Sequence, residues 1–117
     1  MRSWRKKKGT DFTVYIDDNF HYMDVEHRIT GPTFSSAEEA VAECKRIVDR
    51  SLRWKRLHAK DKNDPEELYE TYTFFGDDPF IKADGPDRPK FSARTYAKER
   101  CKEIVNEDIN DKTLYKR

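Results

Sequence analysis

The sequence predicts a small α+β domain: a mostly antiparallel sheet, two principal helices on one face, a shorter connecting helix, and a partial internal repeat. Three observations lead there. FTVYIDDNFHYMD, from Phe12 to Asp24, alternates apolar and polar residues with the period of a strand. Two segments, Pro32–Leu52 and Pro89–Ile109, carry apolar residues at helical spacing, and a shift of 57 positions lays Pro32, Phe34, Ser35, Ala40, Cys44, Lys45, Ile47 and Val48 on identical residues. Between them, NDPEELYETYTFFG has the start and stop signals of a short helix.

Each element has its own local reason. Phe12, Val14 and Ile16 share one face of a first strand, with Thr13 and Tyr15 on the other. Asp17, Asp18 and Asn19 suit a three-residue hairpin loop, and Phe20 to Met23 continue the alternation in a returning strand. A third strand is expected over Arg28–Thr33. Ser35 with Glu38 forms a capping-box pattern for the first long helix, whose stripe is Ala37, Ala40, Val41, Cys44, Ile47, Val48 and Leu52. It is expected to run through RWKRLHAK until KDKND breaks it.

In the connecting segment Asp64 is an N-cap, Pro65 fits the first helical position, and Glu66 and Glu67 complement the helix dipole. Leu68, Tyr72 and Phe75 share a face, and Gly76 is the stop. A competing alignment lays YTFFGDDPFIKAD on the first hairpin and would make Tyr72–Phe75 a strand; the helix is preferred because cap, proline, acids and stop agree. Phe80–Ala83 reads as a short strand. Ser92 then caps the last helix, with Phe91 and Tyr96 as its hydrophobic staple and Tyr96, Ala97, Cys101, Ile104, Val105 and Ile109 as its stripe. Residues 1–10 read as a flexible basic arm, 11–109 as the single domain, and 110–117 as a frayed tail.

Composition bounds the function. At 117 residues there is room for one core, and aromatics at 13% compensate for a hydrophobic fraction of 35%. The net charge of +1 conceals alternation: +5 over residues 1–8, −7 over 9–43, +6 over 44–60 and −3 beyond. No apolar run reaches the roughly 20 residues of a membrane span, and no secretory signal follows the cationic start. Two cysteines are fewer than an exported disulfide scaffold usually carries, so a cytoplasmic protein with reduced thiols is expected.

DDNFHYMD, FGDDPFI and FSAxxYAxxRC together resemble a family of short, functionally uncharacterised bacterial proteins, over about residues 12–105. The resemblance implies a domain that stands alone. It implies no activity, and it leaves out the basic arm and the KRIVDRSLRWKRLHAK stretch.

Candidate sites follow from residue chemistry. Asp17, Asp18, His21, Asp77 and Asp78 offer oxygen and nitrogen donors for a hard cation such as Mg²⁺ or Ca²⁺, although their spacing matches no EF-hand loop, and turn chemistry explains the same residues. Cys44 and Cys101 lie on apolar stripes, where cysteine packs as a small hydrophobe. No nucleophile–base constellation, glycine-rich phosphate cradle, cofactor motif or small-molecule substrate emerges. Arg50, Arg53, Trp54, Lys55, Arg56 and Lys60 form a basic helix end around a tryptophan, a surface for a partner or for nucleic acid. The expectation is a non-enzymatic protein-binding or regulatory module, self-associating or not, with nucleic-acid binding through the arm and this helix end as the alternative.

Overall fold

Alternation of apolar and polar residues builds β1 (Phe12–Asp18), with Phe12 and Val14 buried. The computed structural model describes residues 11–21, 24–86 and 88–109, so the expected arm over 1–10 and tail over 110–117 lie outside the described residues. β2 (Ile29–Phe34) and β3 (Asp77–Ala83) flank β1 on either side, both antiparallel to it, giving a three-stranded sheet of order β2–β1–β3.

Among the described residues the expected hairpin is not formed, and positions 22 and 23 of its returning strand lie outside them. Asn19–His21 is a turn of 3₁₀ helix, a second spans Val25–His27, and β2 itself is the strand that returns. Side chains of the acidic turn decide this. The Asp18 carboxylate accepts from the N–H groups of Phe20 and His21, and Asp24 caps the second 3₁₀ turn by accepting from Glu26 N–H. Asn19 is buried: its backbone N–H donates to Gly76 and its amide to the Tyr72 carbonyl. Further along, Thr13 pairs with Thr33 but Tyr15 with Thr30, so Gly31 and Pro32 together face Val14 in a bulge. Gly31 is required there because a Cβ would come within 2.9 Å of the Val14 carbonyl oxygen.

α1 (Ala37–Leu57) starts one residue later than expected. Ser36, rather than Ser35, accepts from Glu39 N–H, and its hydroxyl donates to the Glu39 carboxylate. α2 (Pro65–Phe75) is a helix capped by Asp64, as its start signals require. Gly76 leaves it with a φ of −79°, so freedom to turn left-handed is not its role. Space is: a Cβ at Gly76 would strike the Tyr72 ring. α3 (Ala93–Ile104) is capped by Ser92, with Phe91 and Tyr96 rings 6.0 Å apart as the staple. It ends before Ile109, which is exposed instead of extending the stripe.

The core has two parts divided along α1. Its N-terminal half lays Ala40, Cys44 and Ile47 on Phe12, Val14 and Ile81 of the sheet. Its C-terminal half lays Val48 and Leu52 on Leu68 and Tyr72 of α2 and on Ala97, Cys101 and Ile104 of α3. The equivalent cysteines of the near-repeat are therefore both fully buried, one against strands and the other among helices. No described helix is long and apolar enough to cross a membrane.

Candidate functional site

The acidic pairs of the sequence meet in space. Antiparallel register sets Asp17 opposite Asp78 and Asp18 opposite Asp77, so DDNF and FGDDPFI form one end of the sheet. Arg28 grips Asp17 through two hydrogen bonds, Nε to Oδ1 at 2.7 Å and Nη2 to Oδ2 at 3.0 Å. Burial pushes the Asp78 carboxyl above the ordinary aspartate value, against the pull of Arg94 and with the Asp17 charge adding to the rise. Burial also raises Asp18, but bonds from the His21 ring and from two backbone N–H groups outweigh it and hold that carboxyl low. Among the described residues no three His, Cys, Asp or Glu side chains converge as a metal would require, so these five candidates form a turn and a strand pairing. Across the sheet face opposite α1, Tyr15 stacks on Phe80 at 5.7 Å, with Arg28 over Phe80 and Lys82 over Tyr15.

Next to this acidic end stands an aromatic surface. Phe20 follows the turn that Asp18 fixes, and Phe74 and Phe75 close α2. Phe20 and Phe75 stack with centroids 5.7 Å apart, and Phe74 lies 6.2 Å from Phe75. All three are largely in solvent, at 65%, 59% and 52% exposure for Phe20, Phe74 and Phe75. Lys55 sits 5.9 Å over the Phe75 ring. On the other side, Phe20 meets His21 edge-on, and His21 stacks flat on His27 at 3.8 Å. Each histidine donates its Nδ1–H to a carboxylate, His21 to Asp18 and His27 to Asp24.

Two of the five cations of the expected basic surface are spent inside the molecule. Arg56, placed on the surface by the sequence reading, is only 7% exposed. Its guanidinium donates to the carbonyls of Ile104, Val105 and Glu107, at and just beyond the end of α3, and to that of Lys62 in the loop after α1. Arg53 forms a two-bond pair with Glu107, which also meets Arg100, itself bonded to Asp49. Trp54 lies half-buried with its ring 4.5 Å from His58. Arg50 is half-buried and Lys60 exposed, while Lys55 alone of the six reaches the aromatic surface.

Phe75 was expected on the buried stripe with Leu68 and Tyr72, and it is outside. A signal was present for Phe74 alone: with Tyr72 on the buried stripe, a residue two positions on falls about 200° away, off that face. Nothing comparable marked Phe20, because its exposure depends on the turn that replaced the hairpin. Compared with protein-family models, curated proteins and solved structures, the chain matches none.

Proposed function

We propose that the chain is a small, non-enzymatic protein-binding module that docks a partner on Phe20, Phe74 and Phe75. The observation that carries this is the run of three phenylalanine rings, Phe20 stacked on Phe75 and Phe75 beside Phe74, each more than half exposed, whereas the other exposed large apolar side chains among the described residues, Val25, Ile29 and Ile109, join no ring cluster. Exposed aromatic clusters of this kind are the hot spots of protein interfaces, since a partner removes from water what the fold leaves wet. Lys55 and the histidine pair supply a polar rim. A nucleic-acid surface on the same helix end would have to draw on Arg50, Lys55 and Lys60, because Arg53 and Arg56 are engaged elsewhere. The reading also takes the protein as cytoplasmic, in keeping with two buried, unpaired cysteines, and as a member of the bacterial family that its DDNFHYMD and FGDDPFI stretches resemble.

The test compares the wild-type chain with a Phe20→Ser/Phe75→Ser variant as bait in lysate of the source organism, read by quantitative mass spectrometry. Circular dichroism confirms that the variant is folded, and sedimentation reports self-association. A protein, or a second copy, retained by the wild type and lost from the folded variant is expected. Identical capture and identical sedimentation would remove the proposal.

A further inference from the structure

A groove of about 900 Å³ runs between α1, β3 and the start of α3, on a different part of the surface from the phenylalanine patch. Lys45, Arg88, Lys90, Pro89, Phe91 and Tyr96 line it, and among the described residues no carboxylate does. It adjoins a second hollow of about 450 Å³, sharing Lys45 and Pro89, whose other lining residues are Ala37, Glu38, Val41 and Ala42.

The charge balance of this groove differs from that around five other basic side chains. Arg28, Arg46, Arg53, Arg100 and Lys102 each face a carboxylate of the same chain. Among the described residues no ion pair joins Lys45, Arg88 or Lys90 to an acid. Lys45 lies 5.5 Å over the Tyr96 ring, which leaves its charge beside the groove without neutralising it. All three cations are exposed, and the chain is close to neutral, so their concentration here is local.

We infer that this cationic groove and its apolar neighbour bind an extended acidic peptide segment of a partner protein. Carboxylates would meet Lys45, Arg88 and Lys90, and an apolar side chain would enter the hollow formed by Ala37, Val41 and Pro89. Like-sign charge gathered in a concave surface lowers the energy of an anionic ligand and steers it on approach. The adjoining hollow distinguishes a peptide from a bare anion: its walls are mainly carbon, and a phosphate or free carboxylate has nothing to place there. In an extended chain, side chains two residues apart face the same way, so acidic and apolar residues in alternating pairs address both hollows at once.

The experiment is fluorescence anisotropy with a labelled peptide of repeated Glu-Glu-Leu units against the full chain, with a Gln-Gln-Leu peptide as the uncharged control. Saturable binding of the acidic peptide is expected, weakening as salt rises from about 50 to about 300 mM. A Lys45→Glu/Lys90→Glu variant should lose about tenfold or more in affinity, roughly 1.4 kcal/mol. Lys60→Glu, a single reversal at an exposed site outside the groove, and Phe75→Ser should leave binding unchanged, and amide shifts should centre on Arg88–Tyr96. Equal losses from Lys60→Glu would show unspecific attraction and overturn the inference. So would absence of binding at low salt, full displacement by inorganic phosphate, or tight binding of oligothymidylate in place of the peptide. Because Phe75→Ser leaves the groove intact, failure here is separate from failure of the phenylalanine surface.

Discussion

Arg56 of α1 reaches the end of α3 and donates from Nη1 to the carbonyl of Ile104 at 2.9 Å, while its Nη2 donates to Val105 at 2.8 Å. A helix end leaves carbonyls without intrahelical partners, and here a buried guanidinium from a neighbouring helix supplies the donors. The same group holds the loop after α1 through Lys62. Arg56→Met keeps much of the side-chain length and removes every donor, so it should cost about 3 kcal/mol of stability, from several charge-assisted bonds lost and carbonyls left dry. Arg56→Lys should recover less than half, since an ammonium lacks the planar fork. Urea denaturation measures both, and a loss under about 1 kcal/mol for Arg56→Met would contradict the role assigned.

Asp78 makes folding stability depend on pH. Its folded-state pKa is raised from the ordinary 3.8, first by burial and further by Asp17 across the strand pair. Below the ordinary value both states hold the proton and the group contributes no pH dependence. As pH climbs through the raised folded value, the unfolded chain has already released that proton, so this group's contribution to stability falls and then levels off. Asp78→Asn should therefore be more stable than wild type near pH 7, and the gap should close toward about pH 3. Denaturation midpoints across that range give the answer; a gap that widens in acid reverses the sign.

Both cysteines should be silent in the folded protein. Burial pushes the thiols of Cys44 and Cys101 up to about 12, with nearby carboxylates adding to the effect at Cys44. The thiolate is the reactive form, and neither sulfur is accessible. Ellman's reagent at about pH 8 should detect no fast-reacting thiol in the native chain and both in denaturant. One thiol reacting promptly under native conditions would show that its half of the core opens.

Gly76→Ala should destabilise for reasons of space. The added methyl meets the Tyr72 ring, which is fully buried and whose hydroxyl donates to the Asp77 carbonyl. Tyr72 cannot give way without disturbing α2 and the turn at Asn19, so a cost of about 1–3 kcal/mol is expected. Tyr72→Leu in the same background should restore part of it by clearing the clash, measured as a coupling between the two substitutions.

The sequence by itself determined the local facts. Cap residues, the proline at the start of α2 and the apolar spacing of both long helices act within a few positions, and the alternation of Phe12 to Ile16 settles which face of β1 is buried. The N-cap slipped by one residue, since Ser35 and Ser36 compete for the same place. Tertiary structure decided everything that depends on who lies opposite. The near-repeat gave its two cysteines identical surroundings in sequence and different ones in space, because one stripe met a sheet and the other met helices. The acidic pairs became neighbours through strand register, a relation between residues sixty positions apart that no local preference encodes. Arg56 went inside because the end of α3 offered open carbonyls, and Phe20, Phe74 and Phe75 stayed outside because the core was already filled by Leu68 and Tyr72.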